Sequence, residues 1–137
     1  MTLTDQEIYT AMRKGGFPIL QSIVTTAVAL RESGGIPDAE NDDPETGDLS
    51  YGLLQINWAV PEIVASLTKH GITDPATLKD PVTNARAGVI LWNNSNANLD
   101  VLWYINRPGP YQDRYNSFLP RAVAAALATT PIVVNHG

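Results

Sequence analysis

Ala29-Leu30-Arg31-Glu32-Ser33-Gly34-Gly35, followed by Ser50-Tyr51-Gly52-Leu53-Leu54-Gln55-Ile56-Asn57, is the part of this chain that decides its fold. The first stretch ends an apolar helix with one acidic residue and a Gly-Gly stop. Upstream of it, Ile19, Leu20, Ile23, Val24, Ala27, Val28 and Leu30 cover more than one helical face. That pattern predicts a helix near the middle of the domain, with Pro18 suited to its first turn. In the second stretch Leu53, Leu54 and Ile56 return to the core, while Gly52 permits a close backbone approach. Gln55 is a polar amide in apolar company and needs hydrogen-bond partners wherever it is buried.

Reading outward, Thr4-Asp5-Gln6-Glu7 fits a capping box and predicts a helix from about residue 5 to 14, ended by Gly15-Gly16. Residues 33 to 50 hold Gly34, Gly35, Pro37 and Pro44 among many Asp, Asn and Glu, a loop with a short hairpin around Thr46-Gly47-Asp48. So long a loop in a small domain is more often functional than idle. Pro61 to His70 reads as a helix closed by Gly71. Asp80-Pro81 caps another through Trp92, with Val82, Ala85, Val89 and Trp92 at helical spacing. Asn93 to Asn98 is a polar break, and the short apolar run from Leu99 to Ile105 fits either a helix or a strand. Arg107-Pro108-Gly109-Pro110 reads as a turn, Tyr115 to Thr129 as a last helix with Pro120 near its start, and the tail from Thr130 as loosely packed. No repeat or linker divides the chain, so residues 1–137 are expected to form one domain.

Composition narrows the function classes. With 137 residues, 44% of them apolar, the chain can bury a real core. A formal net charge of −5, with nine scattered Lys and Arg, argues against nucleic acid as a partner. It also means that any anionic substrate must be held locally. Without cysteine there is no disulfide, thiol nucleophile or Cys-based zinc site. Two isolated histidines, His70 and His136, make no metal site, so neither metal nor cofactor is expected. No apolar run is long enough for membrane insertion. Met1 to Glu7 lacks the basic patch and apolar core of a secretory leader, so the expectation is export by other means or delivery within a particle.

Glu32 carries the chemistry. A carboxyl group at the carboxyl end of a helix meets the negative end of the helix dipole, which disfavours its ionised form. Burial among apolar neighbours acts the same way. Both effects would hold Glu32 as the neutral acid that a proton donor needs. Arg31 would oppose them if it pointed at the carboxyl, and the sequence does not give its direction. The plain alternatives remain open here: Glu32 as a solvated residue in a last helical turn, and Gln55 as a core amide bonded to the main chain.

Glu32-Ser33-Gly34 followed by Ser50-Tyr51-Gly52-Leu53-Leu54-Gln55-Ile56-Asn57 resembles the lysozyme superfamily, in its soluble lytic transglycosylase and goose-type lysozyme branch, of which phage virion enzymes are part. The resemblance runs from about residue 15 to 119 and includes Gly16-Phe17, Asp80-Pro81-Val82-Thr83-Asn84-Ala85, Ala87-Gly88 and Leu91. It implies a mostly α-helical lysozyme-like domain with a small loop or β-hairpin region near the active cleft. The implied substrate is the β-1,4 bond between N-acetylmuramic acid and N-acetylglucosamine in peptidoglycan glycan strands. Glu32 is then the general acid and base, and Ser33, Ser50, Tyr51, Gly52, Leu54, Gln55 and Asn57 are expected at the substrate.

The family's aromatic third motif matches in two registers. Trp103-Tyr104-Ile105-Asn106 fits one; Trp103, Gly109 and Tyr111 fit the other, with Asn106 where a tyrosine would stand. Tyr104, Asn106 and Tyr111 are therefore all candidates for supporting Glu32 or binding sugar. Trp58 is a further groove candidate, whereas Trp92 is expected in the core. Hydrolysis with two carboxylates needs a second acid about 5–9.5 Å from the first. Ser50 stands where animal-type lysozymes place an aspartate, and Asp48 is the nearest acid. Asp38, Glu40, Asp42, Asp43 and Glu45 are expected to be solvated loop charges. The resemblance thus favours a lytic transglycosylase, in which the sugar's own 6-hydroxyl attacks and leaves a 1,6-anhydro end. The alternatives are a hydrolytic lysozyme on the same scaffold and a non-catalytic virion or wall-binding protein. By family habit the setting is a phage virion or tail, with other virion proteins as partners.

Overall fold

The computed structural model describes residues 1–129, so the expectation for the tail from Thr130, His136 included, lies outside the described residues. Helix α1 (Asp5–Gly15) opens on the expected capping box: the Glu7 N–H donates to Thr4 Oγ1 at 3.1 Å, and the Thr4 N–H to Glu7 Oε1 at 2.9 Å. Helix α2 (Ile19–Ser33) follows, with Pro18 just before it and Gly34 closing it through an N–H bond to the Leu30 carbonyl. Its buried residues are mostly small, Ser22, Thr25, Thr26, Ala27 and Ala29 among them, whereas Ile19 and Leu20 of the expected apolar set lie exposed in the first turn. The buried hydroxyls bond back along the chain, Thr26 Oγ1 to the Ser22 carbonyl at 2.7 Å and Ser22 Oγ to the Phe17 carbonyl at 3.0 Å. This leaves the interior satisfied and lets neighbouring helices approach closely.

Strands β1 (Glu40–Asp43), β2 (Asp48–Tyr51) and β3 (Ile56–Asn57) form an antiparallel sheet in that order. The hairpin turns at Pro44 to Gly47, where the loop composition placed it. Register pairs Asn41 with Ser50 and Ser50 with Asn57, which lines these three side chains up across the sheet. Beyond the sheet come α3 (Pro61–Lys69), a short 3₁₀ turn (Pro75–Lys79) that the sequence did not signal, and α4 (Pro81–Asn94), N-capped by Asp80. In α4, Ala85 is buried as expected and Trp92 packs on Phe17 with ring centroids 5.8 Å apart, but Val82 is 36% exposed. Val82 sits in the first turn, before the helix has engaged the core.

Helix α5 (Leu99–Trp103) resolves the ambiguous apolar run: Leu99 and Trp103, four residues apart, are both buried. Helix α6 (Pro110–Thr129) begins five residues earlier than expected. Pro110 occupies its first position, where a missing N–H costs nothing, so Arg107 to Gly109 is the turn. Pro120 consequently lies inside the helix. Leu53, Leu54, Leu67, Leu78 and Val28 are fully buried in the shared core, which places α2 and the Leu53–Leu54 segment at its centre. Each such side chain contributes about 1.5–3 kcal/mol relative to exposure. The fold is therefore mostly helical with one small sheet.

Candidate active site

The second motif is held from beneath by one residue. Asn84 of α4 is fully buried; its Nδ2 donates to the Tyr51 and Leu78 carbonyls, and its Oδ1 accepts the Leu54 N–H, all at 2.9 Å. Gly52 lies directly on this amide. A Cβ there would stand 2.2 Å from the Leu78 carbonyl oxygen and 2.3 Å from Asn84 Nδ2, and its φ is +78°. Only glycine fits. The chain then turns through Gln55 at φ 51°, with Gln55 Nε2 donating to the Gly52 and Ala39 carbonyls at 2.9 and 3.2 Å. The amide donors are spent on main chain, which leaves Oε1 as an acceptor.

A cleft of about 370 Å³ opens between the sheet and the helices. Glu32, Asp48, Ser50, Leu54, Gln55, Asn57, Tyr104 and Tyr111 line it, eight of the residues singled out from sequence. Asn41 and Trp103 join them. On the sheet wall, Asp48 is held at both oxygens: Ser50 Oγ donates to Oδ1 at 2.6 Å, and Asn41 Nδ2 donates to Oδ2 at 2.9 Å. Trp103 joins the third motif to the second, its Nε1–H donating to the Leu54 carbonyl at 3.2 Å. Tyr104, at φ 50°, and Gln55 are two of the four non-glycine residues with positive φ among the described residues, a costly backbone state that concentrates at functional sites.

Four expected residues are placed elsewhere. Ser33 finishes α2, its Oγ donating to the Ala29 carbonyl. Tyr51 follows Ser50 on the strand, so alternation sends it to the other face, beside Glu40. Gly52 lies under the loop, against Asn84. Asn106 is exposed, its N–H bonded to Asp100 Oδ1. Trp58 packs against the core and is absent from the cleft lining. Of the other loop acids, Asp38, Glu40, Asp42 and Glu45 are exposed, with Glu40 paired to Lys79 at 3.2 Å.

Glu32 stands at the end of α2 with its side chain 17% exposed. Its surroundings are less apolar than the sequence suggests. Arg31 Nη2 donates to Glu32 Oε1 at 3.0 Å, and the Tyr111 hydroxyl donates to the same oxygen. No donor among the described residues reaches Oε2. Burial pushes the Tyr111 phenol well above the usual tyrosine value, and its bond to Glu32 and the carboxylate charge push further, against Arg31. Tyr111 therefore remains a donor throughout the neutral range.

A sequence profile described as a lysozyme-like domain matches residues 9–106. The chain belongs to that lysozyme-like family. Membership implies a glycan-cleaving enzyme that acts on peptidoglycan. No curated protein and no solved structure matched the chain. The matched span holds Glu32 and the other residues that line the cleft of this lysozyme-like domain, Tyr111 excepted. It stops short of α6, which supplies Tyr111. Of the two residues that donate to Glu32, Arg31 lies within the matched span and Tyr111 beyond it.

Proposed function

We propose that Glu32 is the general acid and base of a lytic transglycosylase that cuts between N-acetylmuramic acid and N-acetylglucosamine. The observation that carries this is the asymmetry of the Glu32 carboxyl in the cleft: two protein donors hold Oε1 and none among the described residues meets Oε2. In this mechanism Oε2–H passes its proton to the bridging oxygen as the bond from that oxygen to the muramic C1 breaks. The acetamido carbonyl oxygen of the same sugar closes on C1. The resulting Glu32 carboxylate then takes the proton of the 6-hydroxyl, whose oxygen attacks C1, reopens the acetamido ring and leaves a 1,6-anhydro end. Gln55 Oε1 and the Asn41, Ser50 and Asn57 row offer hydrogen-bond partners to sugar hydroxyl and acetamido groups.

Asp48 favours a second reading. It lines the same cleft with both carboxylate oxygens fixed, an arrangement suited to orienting a water for hydrolysis. Mass spectrometry of digested glycan strands separates the two outcomes, with anhydro ends for the transglycosylase and reducing ends for the hydrolase. An Asp48→Asn variant retains activity in the first case and loses it in the second. Glu32→Gln is expected to lose on the order of 10²-fold or more in rate. A Glu32→Gln protein that clears cell walls as fast as an active parent would take the acid role from Glu32, and a folded parent that clears none would mean a binding or structural protein instead.

A further inference from the structure

Arg31 is the most unusual charged group in the molecule. Its side chain is fully buried, and Nε and Nη1 have no hydrogen-bond partner among the described residues. Nη2 is shared between Glu32 Oε1 and the Trp103 carbonyl. The guanidinium carbon stands 3.7 Å from the centre of the Tyr111 ring and 5.9 Å from that of Tyr115. A buried cation with two unpartnered nitrogens, three N–H donors in all, is a poor device for stability, because desolvation takes back most of the attraction. An apolar side chain of similar length would fill the space with less loss. Its three closest interactions lie at the proposed acid and the cleft: the carboxyl itself, the ring of the tyrosine that bonds that carboxyl, and the residue that ends α5.

We infer that Arg31 is the positioning residue of the proposed reaction: its guanidinium locks Glu32 Oε1 and the Tyr111 ring together, so that Oε2 alone is presented to the glycosidic oxygen. The planar group can do this because one face stacks on an aromatic ring while an N–H bonds in its plane, which a lysine ammonium cannot copy. Arg31 is absent from the cleft lining, so it acts through Glu32 and not on the sugar. It holds the same oxygen through both proton steps, since Oε1 keeps its donors whether Oε2 carries the proton or has released it.

The inference rests on the Glu32 reading, and the experiment separates the two. Rates are measured on soluble glycan strands for the parent, Glu32→Gln, Arg31→Met, Arg31→Lys and Arg31→Ala. Folded Arg31→Met is expected to hold KM within about threefold, yet lose on the order of 10²-fold in kcat, the cost of about an ångström of misplacement. Arg31→Lys, which retains the charge, is expected to lose roughly tenfold or more in kcat. Guanidinium chloride at millimolar level should restore part of the Arg31→Ala rate, and sodium chloride at equal ionic strength should not. Parent-like kcat in folded Arg31→Met, or a loss carried wholly by KM, overturns the positioning role while an inactive Glu32→Gln leaves the acid assigned. If Arg31→Met does not fold, Arg31→Lys decides, and parent-like kcat there overturns the inference. A fully active Glu32→Gln removes both.

Discussion

Replacing Gly52 by alanine tests how the second motif is built. Two terms add. At φ +78° any L-side chain strains the backbone, at about 1–2 kcal/mol. The new methyl also overlaps the Leu78 carbonyl oxygen and Asn84 Nδ2, at 2.2 and 2.3 Å. Neither neighbour can retreat cheaply, because Asn84 is fully buried and bonded to three backbone groups. Relief must break at least one of those bonds, and each buried group left unpaired costs about 1–3 kcal/mol. The expected loss is therefore about 2–5 kcal/mol, a large share of the roughly 5–15 kcal/mol that holds such a domain together. Gly47→Ala is the internal control: φ is +73°, but nothing lies within 4 Å of its Cβ position. It should lose only the backbone term of about 1–2 kcal/mol, and the entropy gained by restricting the unfolded chain is common to both variants. Urea unfolding followed by tryptophan fluorescence and circular dichroism measures the difference. A Gly52→Ala protein no less stable than Gly47→Ala would refute the packing argument and with it the role given to Asn84.

Tyr111→Phe keeps the ring over Arg31 and deletes the hydroxyl on Glu32; kcat is expected to fall roughly tenfold or more, about 1.4 kcal/mol, the low end for a hydrogen bond to a charged group. The same variant bears on alkaline stability. The Tyr111 phenol is raised in the folded state, so its contribution is complete below the ordinary tyrosine value near pH 10 and fades as pH rises through the raised one. An ultraviolet titration of the five tyrosines should lose one late-ionising phenol in Tyr111→Phe, and an unchanged titration curve would contradict the placement. Pro120 is exposed within α6 and denies a hydrogen bond to the preceding turn. Pro120→Ala should therefore stabilise by about 1–2 kcal/mol in urea unfolding, after the gain is offset by a freer unfolded chain.

Local signals were legible wherever a short range of sequence was enough. The Thr4–Glu7 box, the Asp80 cap, the Gly34 stop and the hairpin turn each depend on residues within a few positions, and each forms as read. The start of α6 is ambiguous in the sequence because Pro110 fits the turn before it as well as a first helical position. Strand alternation explains why Tyr51 misses the cleft that Ser50 and Asn57 share, a consequence of register that motif matching passes over.

Sequence alone determined the helical class, the acid that ends α2, and the glycine and glutamine of the second motif, since these follow from spacing, capping and side-chain size. Only the tertiary structure decided where Arg31 points and which tyrosine meets Glu32. Tyr111 lies 79 positions from its partner, and what joins them is the packing of α6 across α2. That packing is a sum of many weak contacts with no local signature in the chain, so the direction of one buried guanidinium emerges only once the core has closed around it.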